Sequence, residues 1–504
     1  MSLNIPTKGL TFKYIKEDFP AGLVVFLVAI PLCLGIALAS GAPLFSGLIA
    51  GIIGGIVVAF ASGSSLSVSG PAAGLTVIVL NGITTLGSYD LFLVAVVLAG
   101  IIQIILGFLK AGVIGYYFPS SVIKGMLAAI GIIIILKQLP VATGYNAAAT
   151  GATFHLGSII IALASIAIIL IWDLPFIKKI AAFKWIPGAL VAVIVGIILD
   201  ETFNLYFPSL MLQADQTVNL HVAKNSTEFA AQFTFPNFRA LGNYQVYVLA
   251  VTIAIIASLE TLLSTEAADK LDPHKRVTPT NRELKAQGLG NILSGLIGGL
   301  PMTAVIVRTS ANVNAGGKTK LAAIIHGLLL LISIIAFASV LNKIPLACLA
   351  AVLLIVGYKL AKVSLFREMY QLGWEQFLPF IITIIAVQFT DLLKGISIGM
   401  LVAIFFILRT NYRRDYTIHH DKKSEGGAIK IILSEHVTFI NKGSIAKKLA
   451  DLPGDIMVTI DATNSHYIDL DVLEIIHDFK ISASLKNIQV EFINVPDRLS
   501  VSGH

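Results

Sequence analysis

The stretch Ser67-Val68-Ser69-Gly70-Pro71-Ala72-Ala73-Gly74 opens an apolar run that Gly and Pro interrupt at its start. A second stretch, Gly298-Gly299-Leu300-Pro301-Met302-Thr303-Ala304, does the same late in the chain. Each leaves only a short helical run behind it. Gly and Pro break the hydrogen-bond ladder of a helix and free backbone N–H and C=O groups. In hydrocarbon, such groups are tolerated only where protein or a cavity surrounds them.

The surroundings are those of a membrane protein. Of 504 residues, 56% are hydrophobic and 13% charged. A soluble chain carries about 25% charged residues, which excludes an ordinary soluble enzyme and a disordered chain. Two cysteines, Cys33 and Cys348, both in apolar stretches, exclude a disulfide scaffold and a Cys-based zinc site. The net charge of +7 does not point to nucleic acid. Residues 412–504 hold 11 Lys and Arg against 13 Asp and Glu, so the cationic excess lies between the apolar runs. Membrane orientation explains it there. The polar start, with Lys8, Lys13, Lys16, Glu17 and Asp18, gives no cleavable signal peptide.

Fourteen apolar segments are expected near 20–39, 44–61, 71–87, 91–109, 120–137, 156–172, 186–199, 244–264, 287–299, 302–314, 321–341, 345–360, 377–390 and 394–410. With the N-terminus in the cytoplasm, the outer connections carry only Lys137, Lys224, Arg239, Lys343 and Lys394. The other membrane-region Lys and Arg fall inside, and both termini are then cytoplasmic. The segments divide at the long link 201–243 into repeats of about 18–200 and 244–410. Seven segments per half give the halves opposite orientation. The two Gly-Pro stretches begin the third segment of each half, and paired interruptions of this kind point to a binding site between repeats. The alternative is that Gly and Pro merely kink packed helices.

At such a site, free N–H groups and the positive ends of two helices suit an anion. Ser69 and Thr303 add hydroxyl donors, while Gly70, Pro71, Ala72, Ala73 and Ala304 let an anion approach the backbone. Glu260 lies in an otherwise apolar run, with Ser264 one turn later. A carboxylate at mid-membrane costs roughly 2.5–3.5 kcal/mol on insertion scales and marks a functional candidate. Carboxylate and hydroxyl suit sodium or an exchangeable proton; the other reading is a structural pair with Arg308. Arg308 itself has three readings: neutralising an anion, pairing with Glu260, or reaching cytoplasmic water. His155, His221 and His326 lack metal-ligand spacing and read as structural. Asn464-Ser465-His466 resembles a triad only by letters. No nucleophile-and-base set or Walker motif is present, and neither an enzyme nor a cofactor is expected.

From residue 411 to 504 the pattern alternates strand and helix. Strands are expected over 429–433, 437–440, 456–460 and 488–493. Helices are expected to Leu452, capped by Ser444, and to Phe479, capped by Asp469 or Asp471. This is a small α/β domain beneath the membrane.

Several motifs resemble the SulP (sulfate permease) family of inorganic anion transporters over nearly the whole chain. They are Ile30-Pro31-Leu32 through Ala42-Pro43, Gly63-Ser64-Ser65 through Pro71, Asn281-Arg282-Glu283-Leu284 with Gln287-Gly288 and Gly290-Asn291, and Arg308-Thr309 followed by Asn312-Val313-Asn314-Ala315-Gly316. The tail resembles the family's STAS domain. The resemblance implies a seven-plus-seven inverted repeat, with a core domain sliding against a gate domain as an elevator. It implies anion binding between helices 3 and 10, and a homodimer. It places Glu260 and Ser264 where sodium-coupled bicarbonate members carry an acid and a hydroxyl. Val305-Ile306-Val307 depart from the Gly and Ser usual before the helix-10 arginine, which shifts weight from sodium toward proton. Asp469-Leu470-Asp471 replaces a Ser-containing loop, which argues against phosphorylation there. The tail ends soon after Ile493, so its last helix is expected to be missing. The expected activity is import of a small inorganic anion, bicarbonate or sulfate before a dicarboxylate, across a bacterial inner membrane. The alternatives are an uncoupled channel or exchanger, and an anion sensor signalling through the tail.

Overall fold

The computed structural model describes residues 11–145, 154–174, 177, 186–220, 226–390, 392–413, 416–421 and 428–497. His221 lies outside them. Two compact units are present, Met1–Ile398 and Gly399–His504.

Fourteen helices answer the fourteen segments. The first half holds α1 (Ile15–Ala39), α2 (Leu44–Ile53, continued through a π turn to Ala61), α3 (Thr76–Leu86), α4 (Tyr89–Phe108), α5 (Ser120–Thr143), α6 (Leu156–Trp172) and α7 (Gly188–Tyr206). The second holds α8 (Tyr244–Leu271), α9 (Thr280–Leu296), α10 (Ile306–Asn314), α11 (Leu321–Ala336), α12 (Leu346–Leu360), α13 (Trp374–Phe389) and α14 (Leu392–Arg413). Among the described residues, eight helical stretches are long and apolar enough to cross a bilayer alone. The protein is a multi-pass α-helical membrane protein.

The departures fall where the chain is least apolar. The expected runs 71–87 and 302–314 each begin as extended backbone, β1 (Ser69–Pro71) and β2 (Met302–Ala304), before α3 and α10 start. The expected run 287–299 sits within a helix that begins at Thr280 and ends at Leu296. Its polar first turns escape a hydropathy reading because they face protein: Glu283, Gln287, Asn291 and Ser294 are all 0% exposed. Close packing of α9 on α4 makes this burial possible. Gly100 and Gly288 meet there so tightly that a Cβ on either would lie 2.5–2.6 Å from the other's carbonyl oxygen.

In the C-terminal unit, β3 (Tyr416–Asp421) runs antiparallel to β4 (Ala428–Leu433). Next, β6 (Met457–Asp461) and β8 (Gln489–Ile493) follow β4 in parallel, giving the order β3-β4-β6-β8. A separate pair joins β5 (His436–Val437) to β7 (Tyr467–Ile468). Ile429, Ile431 and Leu433 alternate inward along β4. They pack with Val458, Ile460 and the inner faces of α15 (Lys442–Ala450) and α16 (Leu470–Ala483). Asp469 caps α16, its Oδ1 accepting from Asp471 N at 3.0 Å. Ser444 does not cap α15 but lies within it. Thr438 and Asn441 form a reciprocal box around a 3-10 turn (Phe439–Asn441) that leads into α15, whose own start has no side-chain cap. That box also ends the expected strand 437–440 at Val437. This unit fits a small STAS domain.

Candidate functional site

The two interrupted stretches meet. β1 and β2 pair antiparallel in the register Ser69↔Ala304, Gly70↔Thr303 and Pro71↔Met302, all of them buried. Antiparallel pairing is what two halves of opposite orientation produce. One step further on, Val305 N donates to Val68 O at 2.9 Å.

In an antiparallel ladder, alternate residues turn their N–H groups outward. Here the outward groups of β2 are held by neighbouring helices. Met302 N donates to Asn291 Oδ1 at 2.7 Å, and Asn291 Nδ2 returns a bond to Met302 O at 3.1 Å. Asn291 is steadied by Gln103 Oε1 at 2.7 Å. Ala304 N donates to Thr261 Oγ1 at 3.3 Å. On the other edge, Val68 N donates to Thr309 Oγ1 at 3.1 Å. The ladder is thus fixed by α4, α8, α9 and α10. Sequence reasoning gave no role to Thr261, Gln103 or Asn291. The available signal was the spacing of Gln287, Asn291 and Ser294 on one helical face.

Both helices that leave the ladder start uncapped. Ala72 precedes a 3-10 turn (Ala73–Leu75) that leads into α3, and Val305 precedes α10; neither provides a side-chain cap. The first N–H groups of a helix have no intrahelical partner and attract an anion. Ala72 is 1% exposed and Ala73 half-buried. The two hydroxyls differ. Ser69 Oγ accepts from Gln287 Nε2 at 2.7 Å, whereas Thr303 Oγ1 donates to Ala304 O at 3.1 Å, back onto its own strand.

Glu260 on α8 lies against the start of the third span. A Cβ on Gly74 would be 2.7 Å from its Oε2 and 2.8 Å from its Oε1, so a larger residue at 74 would displace the carboxylate. Oε2 is buried with no hydrogen-bond partner among the described residues. Ser264, also buried, follows one turn later. Glu260 and Arg308 form no ion pair, which corrects the reading of them as a structural pair. Arg308 does not reach water either, because it is 0% exposed. Its Nη2 donates to Cys33 Sγ at 3.3 Å, while Nε and Nη1 have no partner among the described residues. The guanidinium rests on Gly70, where a Cβ would lie 2.0 Å from Nη1.

A cavity of about 690 Å³ reaches the first turn of α10 at Val307 and is walled by Val28, Leu32, Val352 and Ile355. Asp173 and Lys359, an ion pair at 2.9 Å, also line it. Of the histidines, His155 caps α6, its Nδ1 accepting from Ser158 N at 3.2 Å, and His326 is buried.

A profile of the sulfate permease family matches residues 15–386. "Putative sulfate transporter YvdB" of Bacillus subtilis (strain 168) is 28% identical over 416 residues, covering 80% of this chain and 75% of that one. "Bicarbonate transporter BicA" of Picosynechococcus sp. is 27% identical over 417 residues, covering 79% and 71%. The solved structure of murine Solute Carrier 26 family member A9, an anion transporter in the inward-facing state, superposes with a TM-score of 0.76 at 16% identity. That likeness covers 98% of this chain and 87% of the other, and it speaks to the fold.

Proposed function

Because the chain belongs to the sulfate permease family, we propose that it is a secondary active transporter of a small inorganic anion, bicarbonate or sulfate. The observation that carries this reading is the β1–β2 pair, which joins the uncapped starts of two membrane half-helices. Each start carries roughly half a positive charge. Together they approximate one cation without exposing a lysine, and Arg308 adds a buried charge behind Gly70. The anion sits at Ser69, Ala72 and Ala73 on one side and at the start of α10 on the other.

Glu260 couples the movement, with Ser264 beside it. Its unpartnered Oε2 gives a proton a place to bind and leave. No side-chain oxygen comes from Val305, Ile306 or Val307, which favours a proton over sodium as the coupling ion. Movement follows the elevator pattern, a core carrying α3 and α10 sliding past a gate. The protein works as a homodimer in the inner membrane, with both termini in the cytoplasm.

Uptake into proteoliposomes tests the proposal. Labelled bicarbonate, sulfate and a dicarboxylate are offered under a proton gradient, a sodium gradient or neither. Concentrative uptake of one inorganic anion under one gradient supports the reading. Flux that only follows voltage indicates a channel, and no flux with intact binding indicates a sensor.

A further inference from the structure

We infer that Gln287 is a positioning residue that fixes the hydrogen-bond polarity of Ser69, so that the Ser69 hydroxyl meets the anion as a donor. The inference rests on the proposed anion site and adds to it the group that orients one of its donors.

Gln287 lies on α9 and is 0% exposed. Its Nε2 carries two protons and makes two bonds: to Glu283 Oε1 at 3.0 Å and to Ser69 Oγ at 2.7 Å. An amide has a donor end and an acceptor end, and its neighbours decide which way it faces. Here the neighbour is a buried carboxylate. Glu283 Oε2 already accepts from Ser62 Oγ at 2.5 Å. Both oxygens of Glu283 accept, so the amide turns its NH₂ end toward them. The second N–H of that NH₂ group then points at Ser69.

The consequence falls on Ser69. A serine hydroxyl has one proton to donate. Its oxygen receives the proton of Gln287, so its own proton goes elsewhere. No acceptor for it exists among the described residues. Ser69 lies on β1 opposite Ala304, between the starts of the two half-helices. An O–H left free there is one that the proposed anion can accept. Thr303, whose hydroxyl is spent on Ala304 O, has no such freedom. The other end of Gln287 supports the same reading. Its Oε1 is buried and has no partner among the described residues, so the donating end alone is used there.

The test is a double-mutant cycle on the full-length protein, with sulfate and bicarbonate each titrated by calorimetry and KM read from proteoliposome uptake. Ser69→Ala and Gln287→Met should each weaken binding several-fold to about tenfold, the loss of one hydrogen bond to a charged ligand. The double variant should bind no more weakly than either single one, and KM should rise while the maximal rate holds. If the two losses multiply, Gln287 acts independently of Ser69 and the inference fails. If Ser69→Ala weakens binding but Gln287→Met does not, the inference fails while the anion site stands. If Ser69→Ala binds as the wild type does, the site itself is misassigned at Ser69. Should Gln287→Met not fold, Glu283→Gln removes the carboxylate that orients the amide. It should weaken binding in the wild-type background and leave Ser69→Ala unchanged; a loss of the same size in both backgrounds would overturn the inference.

Discussion

Gly74 lies directly against the Glu260 carboxyl group: a Cβ on Gly74 would lie 2.7 Å from Oε2 of Glu260. A carboxylate on α8 is thereby laid against the backbone that opens the third span. Gly74→Ala should push the carboxylate away and cut gradient-driven uptake at least tenfold. Anion binding, measured by calorimetry, should change much less. Equal losses in both would tie Gly74 to the anion and not to Glu260.

The anion site makes an ordering prediction. Its principal donors are backbone groups, which side-chain deletion leaves in place. Ser69→Ala should therefore cost roughly 0.5–1.5 kcal/mol, somewhat more for a charged ligand. Ala72→Leu fills the anion's place and should eliminate binding. Calorimetry on folded protein gives the order directly. Wild-type affinity in Ala72→Leu would return the Gly-Pro stretches to the role of kinked packing helices.

Arg308 and Gly70 define a third. A Cβ at Gly70 would sit 2.0 Å from Nη1 of a fully buried guanidinium. Overpacking of this kind costs about 1–3 kcal/mol, and displacing a buried charge adds to it. Gly70→Ala should lower the melting temperature in detergent. Adding Arg308→Met should restore much of that stability without restoring anion binding. A melting temperature unchanged by Gly70→Ala would mean that the guanidinium has room to move.

The number and order of spans were legible because thirteen percent charge and long apolar runs leave few other readings. The kinship of the stretch 67–74 with 298–304 is legible as composition, since Gly and Pro interrupt a helix wherever they fall. Their pairing as strands was not: a three-residue ladder has no periodicity. The grip of α9 was hidden for another reason. Asn281, Arg282, Glu283 and Lys285 lower the hydropathy of its first turns, so a hydropathy reading starts the segment late. The three readings of Arg308 could be separated only by geometry, because nothing in the chain announces that Cys33 stands beside it. In the tail, Ser444 reads as a cap, but α15 already begins at Lys442, led in by a 3-10 turn that the Thr438 and Asn441 box closes.

The C-terminal unit carries a pH prediction. The Lys430 ion pair at 2.7 Å, followed by bonds from Thr463, holds the Asp461 carboxyl down to about 2, below the ordinary 3.8. A lowered carboxyl stabilises the fold above its unfolded value and loses that contribution as pH falls through its folded one. Hydrogen-exchange protection of β4 and β6 should therefore fall between about pH 4 and pH 2. Lys430→Ala should shrink that fall. The same pH dependence in the variant would show that the ion pair is not its source.

In the proposed transport cycle, Glu260 links anion movement to a cation gradient. The most direct measurement is labelled anion uptake into proteoliposomes, with Glu260→Gln beside the wild type, under an imposed gradient and then in equilibrium exchange. The wild type should concentrate the anion. Glu260→Gln should lose concentrative uptake while retaining some exchange. Undiminished gradient-driven uptake in Glu260→Gln would contradict the claim.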